Sequence, residues 1–311
     1  VLILAALALA QAQPQPAPQL ALPPPPTVPA AVIDDKLEIT GEALKAREVR
    51  SRLVVRTIVN GQGPYDFFVD SGADRTVIGA GLAARLALPP GPDVTLHGTA
   101  GVSRVGTVKI DSLKIGSSEL FGFTTPALPE EYLGSQGLLG IDALADQRLS
   151  LDFEHKSIVI QDSRLPERSI GNSDEIVVTA RRRNGQLILT QASVGNTNLY
   201  AIIDSGTEIS VGNEALRRRV VGTRRSSRTK TIDLISVTGQ VATADLVVVP
   251  TLKLGGITFY NVPIAFADTP PFAVFGLAKQ PALLLGTDVL QLFRRVSLDF
   301  RARKVRFVLK S

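Results

Sequence analysis

Apolar residues in this chain come in short runs broken by turn-forming clusters, and most runs are rich in β-branched residues. Leu53-Val54-Val55-Arg56-Thr57-Ile58-Val59 is such a run, and Asn60-Gly61-Gln62-Gly63-Pro64 closes it, a pattern that predicts a strand and a turn. Tyr65 to Val69 reads as the next strand, and Ala80 to Leu88 as a short helix ended by Pro89-Pro90-Gly91-Pro92. Val94 to Val108 predicts a hairpin around Gly98-Thr99-Ala100-Gly101, followed by a strand through Leu113-Lys114-Ile115-Gly116. Leu138-Leu139-Gly140 then runs to Asp142, expected as a helix N-cap because its side chain can accept from an orphan amide. Leu149 to Phe153 and Ser157 to Ile160 read as a closing hairpin.

The same order of elements follows a second time. Strand Gln186 to Val194, turn Gly195-Asn196-Thr197-Asn198 and strand Leu199 to Ile203 lead to a helix over Asn213 to Val220. A second glycine-bearing hairpin is Ser236-Val237-Thr238-Gly239-Gln240. Leu283 to Gly286, Asp288 as a second cap, and the pair Val296 to Phe300 and Lys304 to Leu309 complete the copy. Landmarks match in order: Phe67-Phe68-Val69-Asp70-Ser71-Gly72 with Ala201-Ile202-Ile203-Asp204-Ser205-Gly206, Leu138-Leu139-Gly140-Ile141-Asp142 with Leu284-Leu285-Gly286-Thr287-Asp288, and Ser150-Leu151-Asp152-Phe153 with Ser297-Leu298-Asp299-Phe300. Leu113-Lys114-Ile115-Gly116 answers Leu252-Lys253-Leu254-Gly255 in the same order. A repeat of this length is a duplicated domain-sized unit rather than a solenoid. The expected fold is mainly β, two lobes in tandem related by a pseudo-two-fold axis.

The flanks differ in composition. Residues 1–12 are almost purely apolar and too short for a permanent bilayer span. With small residues at Ala8, Ala10 and Ala12 they read as a signal peptide, so export to the periplasm or medium is expected, with no stable membrane span after processing. Residues 13–33, with Pro23 to Pro26 consecutive, read as a proline-rich spacer. The first lobe is placed at 50–161, a polar linker at 162–175 and the second lobe at 176–311.

Composition narrows the chemistry. With no cysteine, disulfides, thiolate metal sites and a cysteine nucleophile are excluded. With only His97 and His155, a three-histidine metal site is excluded too, and neither a metal nor another cofactor is expected. Both histidines are expected at the surface. The net charge of +5 gathers at Arg181-Arg182-Arg183, at Arg217-Arg218-Arg219 and at Arg224, Arg225, Arg228 and Lys230. Aromatic residues make up only 5%, and no nucleic-acid motif accompanies the clusters, so solvated loops and a helix face are expected rather than nucleic-acid binding.

What the duplication offers is two carboxylates. If Asp70 and Asp204 meet at the lobe interface, their like charges force them to share a proton. The ionised member can then take a proton from water while the other polarises a carbonyl, without a covalent intermediate. Gly72 and Gly206 leave room for close approach. Ser71 and Ser205 can reach to the opposite backbone and brace the pair. Thr99, Ala100 and Gly101, and Thr238 and Gly239, lie on hairpins able to close over an extended peptide. Asp74 and Glu208 are expected to face solvent or bind locally rather than to act in catalysis.

Both copies resemble the retropepsin-like aspartic proteases, whose subunit carries an Asp-Ser/Thr-Gly turn, a glycine-bearing flap and an apolar-apolar-Gly element before a short helix. The resemblance covers about Leu53 to Ile160 and Gln186 to Leu309. It implies that Asp70 and Asp204 are the catalytic aspartates and that Leu138-Leu139-Gly140 and Leu284-Leu285-Gly286 pack under them. It also implies a polypeptide substrate. Retropepsins usually assemble from two chains, whereas this chain carries both halves, so an active monomer is expected. Two other classes stay open on the same fold: a catalytically silent peptide-binding module, and an assembly protein whose lobes pair with partner chains.

Overall fold

The computed structural model of the chain describes residues 32–33, 42–45, 47–49, 52–116, 118–144, 147–164, 175–222 and 230–310. The apolar segment 1–12, the spacer up to residue 31, the linker residues 165–174, and Arg224, Arg225 and Arg228 lie outside the described residues.

Each lobe is built round one crossing of its chain. In the first, Arg52–Val59 and Gln62–Val69 form a hairpin, and Gly137–Leu139 comes back to lie parallel beside Phe67, Phe68 and Val69. The same short strand pairs antiparallel with Val77–Gly79 on its other side. The chain between Val69 and Val77 is thereby left as an open loop, and that loop carries Asp70. The second lobe does the same: Ala282–Leu285 runs parallel to Tyr200–Ile203 and antiparallel to Val211–Gly212, leaving the Asp204 loop between them. These inner strands read as continuous apolar runs because both faces are covered; Phe67, Phe68, Leu139, Ile202 and Leu283 have no exposed surface.

Between the lobes lies a sheet to which both contribute. Its strands run in the order Glu175–Arg183, Lys304–Leu309, Phe293–Asp299, Gln147–Asp152, Ser157–Asp162 and Glu42–Lys45. The central pair joins two copies of one motif, Arg148-Leu-Ser-Leu-Asp152 and Arg295-Val-Ser-Leu-Asp299, in antiparallel register. Antiparallel pairing of a motif with its own copy puts the middle residues face to face. Ser150 lies opposite Ser297, and their hydroxyls are 2.7 Å apart. The local two-fold therefore passes between these serines. The ends obey it in register but not in charge. Arg148 and Asp299 form a buried ion pair at 3.1 Å, whereas Asp152 accepts from the amide and ring of His155.

The repeat also reaches further upstream than Arg50. Arg47–Val49 turns into Arg52–Val59 with Val49 opposite Arg52, just as Arg183 lies opposite Gln186 in the second copy. One apolar core runs from Val55, Phe67 and Leu139 through Leu149, Leu151, Val296 and Leu298 to Leu189, Leu283 and Phe307. The predicted helices form as Ala80–Arg85 and Glu214–Val220, the latter capped by Asn213, whose side chain accepts from the Leu216 amide at 2.9 Å. Two short helices that the pattern did not show, Glu130–Leu133 and Pro270–Val274, stand near the flap hairpins of the two lobes. Arg217 departs from the solvated helix face: it is 7% exposed and pairs with Asp245 at 3.0 Å.

Removing one partner of the Arg148–Asp299 pair leaves a buried charge exposed to a low-dielectric surround. Arg148→Met is expected to lower unfolding stability by about 3 kcal/mol, and Arg148→Met with Asp299→Leu to recover most of it. Denaturant unfolding of the three proteins measures both.

Candidate active site

The two acidic loops meet at the lobe boundary. Their contact is reciprocal. The Ser71 amide donates to the Ser205 hydroxyl at 2.9 Å, and the Ser205 amide to the Ser71 hydroxyl at 3.1 Å. Each hydroxyl then donates onward across the boundary, Ser71 to the Ile203 carbonyl at 3.1 Å and Ser205 to the Val69 carbonyl at 2.9 Å. Those carbonyls belong to the residues just before Asp204 and Asp70. Both serines are buried, so these bonds have no competing water.

The interlock brings the carboxyl groups into hydrogen-bonding contact with each other. Asp70 Oδ1 accepts from the amides of Gly72 at 2.7 Å and Ala73 at 3.1 Å, and Asp204 Oδ1 accepts from Gly206 at 3.0 Å. A methyl group on Gly72 would overlap the Asp204 carboxyl, and one on Gly206 the Asp70 carboxyl. Glycine is needed at both places because of the partner lobe. Burial pushes Asp204 above the ordinary carboxylate value, and hydrogen bonds from Thr207, the Gly206 amide and Asp70 offset only part of that. Two carboxyls in mutual hydrogen bond need a proton between them.

Below the loops, Asp142 and Asp288 act as struts rather than as the expected N-caps; Gly140 and Gly286 occupy the cap positions. Asp142 Oδ1 accepts from the amide and hydroxyl of Thr76 at 2.9 and 2.8 Å. Asp288 accepts from the Ser210 amide at 3.0 Å and hydroxyl at 2.7 Å. The hydroxyls of Thr76 and Ser210 in turn accept from the amides of Gly140 and Gly286. Each apolar-apolar-Gly element is thus tied to the far end of its acidic loop. Burial raises the pKa of both struts despite these donors.

Thr99, Ala100 and Gly101 sit at the tip of a hairpin made by Pro90–Gly98 and Gly101–Ile115. Thr238 and Gly239 sit at the tip of the hairpin Lys230–Ile235 and Val241–Leu254. The tips meet: the Gln240 side-chain amide donates to the Val102 carbonyl at 3.3 Å, and Gly101 lies against the Gln240 amide. Leu96 and Val105 of the first hairpin and Val237 of the second pack with Ala73 on a cluster of Val77, Leu128, Leu133 and Leu138. Both tips therefore stand over the first acidic loop. Gly239 touches the ring of Tyr132, and Pro270–Val274 lies against Pro90–Gly98, so each hairpin rests on the opposite lobe.

Other sequence candidates fall outside this set. Asp74 and Glu208 are exposed on the rim of the loops. His97 is exposed on a flap strand opposite Val102, and His155 is exposed beside Asp152. Among the described residues no cluster of histidine, cysteine or carboxylate side chains has the makings of a metal site. Also among them, no helix is long and apolar enough to cross a membrane. Sequence reasoning passed over Tyr132, Gln240 and Gln186. Tyr132 had no signal, whereas aligning the copies would have set Gln186 against Arg52, eighteen positions before each aspartate.

Two segments of the chain match known families. Residues 55–146 match the family described as "gag-polyprotein putative aspartyl protease", and residues 190–289 match the family described as "aspartyl protease". No curated protein matches the chain.

Asp142, Asp204 and Asp288 are each raised above the ordinary value of 3.8, so the folded chain holds protons that the unfolded chain has released. Their contribution to stability is complete below that value and is lost as the pH rises through the raised ones. The thermal midpoint is expected to be higher at about pH 4 than at about pH 7 in this respect, and Asp142→Asn to flatten the slope. A midpoint series against pH for both proteins measures it. Ser71→Ala and Ser205→Ala are each expected to cost about 2 kcal/mol, with strong coupling in the double variant.

Proposed function

Because the chain belongs to the aspartyl proteases and carries two of their domains in tandem, we propose that it is an aspartic endopeptidase whose two halves lie in one polypeptide. The observation that carries this is the hydrogen-bonded pair of Asp70 and Asp204 held between crossed serine hydroxyls. Asp70, half-buried, is the better place for the negative charge, and Asp204, 7% exposed, for the proton.

In the proposed reaction, a water lies between the carboxyls and the scissile carbonyl. Asp70 takes its proton as the oxygen attacks the carbonyl carbon, and Asp204 gives its proton to the carbonyl oxygen, leaving a gem-diol. Asp70 then gives its proton to the leaving nitrogen while Asp204 takes one back from a gem-diol hydroxyl; the C–N bond breaks to an acid and an amine, and the pair ends with one proton as it began. The amides of Gly72, Ala73 and Gly206 hold the carboxyls in place through the cycle. Thr99, Ala100, Gly101, Thr238 and Gly239 form the roof that binds an extended substrate by its main chain. No step calls for a metal or another cofactor.

On this reading the chain works as a monomer, since the interlobe sheet already supplies the contact that two-chain relatives make by association. The apolar segment 1–12 supports export, and the substrate is a polypeptide met outside the cytoplasm.

Asp70→Asn and Asp204→Asn are each expected to lower cleavage of an unfolded protein at mildly acidic pH by about a thousandfold or more, with the fold intact by circular dichroism. A statine-type mimic of the gem-diol should inhibit, and a chelator should leave turnover unchanged. Cleavage that survives either aspartate change, or zinc-restored turnover after chelation, contradicts the proposal. A folded chain that binds the mimic and never cleaves would instead be a peptide-binding module.

A further inference from the structure

The crossed serines treat the two loops alike, but one side chain does not. Gln186 opens the strand Gln186–Val194 just after the Asn184-Gly185 turn, and it is fully buried. Its Nε2 crosses the lobe boundary and donates to the Gly72 carbonyl at 2.9 Å. Turning the amide over would set two oxygens face to face, so the donor must point this way. The turn that delivers it is held on both sides: Asn184 donates to the Val274 carbonyl at 2.9 Å, and Gly185 lies against Ile141 of the first lobe.

The Gly72 carbonyl belongs to the same peptide unit as the Ala73 amide, and that amide donates to Asp70 Oδ1 at 3.1 Å. A hydrogen bond accepted at the oxygen of a peptide unit polarises it and makes its N–H a stronger donor. Gln186, the Gly72–Ala73 peptide and Asp70 thus form one chain of hydrogen bonds directed at a carboxylate. The matched position in the first copy is Arg52, so the duplication is unequal at this place already in sequence.

We propose that Gln186 is a positioning residue that, acting through the Gly72–Ala73 peptide, keeps Asp70 as the ionised member of the pair. This rests on the reading of Asp70 and Asp204 as the catalytic pair. The deeper burial of Asp204 favours the same assignment. The charged groups around Asp70 are Asp204 across the gap, Asp74 and Arg75 on its own loop, Asp142 behind Thr76, and Glu208 and Asp288 on the second lobe's loop and its strut. Replacing Gln186 by an apolar side chain adds no charge to this set, so a change in titration reports the lost donor.

The test uses the full chain, with Gln186→Met as the near-isosteric variant and Gln186→Leu as a second should methionine fold poorly. Two readouts are taken below the unfolding midpoint: carboxyl-carbon titration by NMR, with Asp70 assigned through Asp70→Asn, and kcat and KM against pH. The lower titration step of the pair is expected to rise by about half a pH unit, the acidic limb of the rate profile to move with it, and kcat to fall roughly threefold to tenfold with KM within about twofold. Gln186→Arg, which keeps an N–H donor, should hold the limb at or below its original place. An unmoved titration step in the apolar variants overturns the inference, and so does a change confined to KM, which would make Gln186 a substrate contact. The titration is read whether or not the chain cleaves, so absence of cleavage in the unaltered protein sinks the proposed function while leaving this inference to its own result.

Discussion

The structure depends on two serine hydroxyls that each serve the other lobe. Ser71 and Ser205 exchange amide-to-hydroxyl bonds and then hand their own protons to the carbonyls just before the opposite aspartates. These four bonds bring the two acidic loops, and with them both carboxyl groups, to a common boundary. A hydroxyl does this because it accepts and donates at once; an alanine or valine at either place would leave a buried amide and a buried carbonyl without partners. The glycines that follow, the struts Asp142 and Asp288 and the apolar-apolar-Gly elements all hold the loops in the one shape that permits the crossing.

The same constraint explains the interlobe sheet. Loops that interlock within a few ångströms need lobes that do not drift. The antiparallel pairing of Arg148–Asp152 with Arg295–Asp299, centred on Ser150 and Ser297, fixes the axis about which the lobes are related. A pair of separate chains would meet this requirement at an entropic cost of association; a tandem chain meets it within one molecule. Fusion also frees the halves to diverge. Arg148 pairs with Asp299 while Asp152 turns to His155, and Gln186 serves one acidic loop where the other copy has an arginine.

Much of this was legible in the residues because duplication turns weak motifs into a strong one. A lone Asp-Ser-Gly says little. Two of them, each followed in the same order by Leu-Leu-Gly and Ser-Leu-Asp-Phe, announce two lobes and a pair of acidic loops. Short β-branched runs and their turns gave most strands, since their apolar positions are buried on one or both faces. What stayed hidden depends on contacts between distant parts. Asp142 looked like a cap because it begins a helical turn, whereas its carboxyl reaches back to Thr76. Arg217 looked solvated within an arginine run, and only the fold sets Asp245 beside it. Tyr132 under the second flap and Gln186 at the first loop are tertiary facts with no local signature.

The central claim is that one proton-sharing pair of carboxyls faces the substrate across the lobe boundary. A crystal structure of the chain with a statine-type peptide bound tests it most directly. The account predicts the inhibitor's hydroxyl within hydrogen-bonding distance of both Asp70 and Asp204, beneath the Gly101 and Gly239 hairpins. An inhibitor seated elsewhere, or a hydroxyl held by one aspartate while the other is turned away, would contradict it.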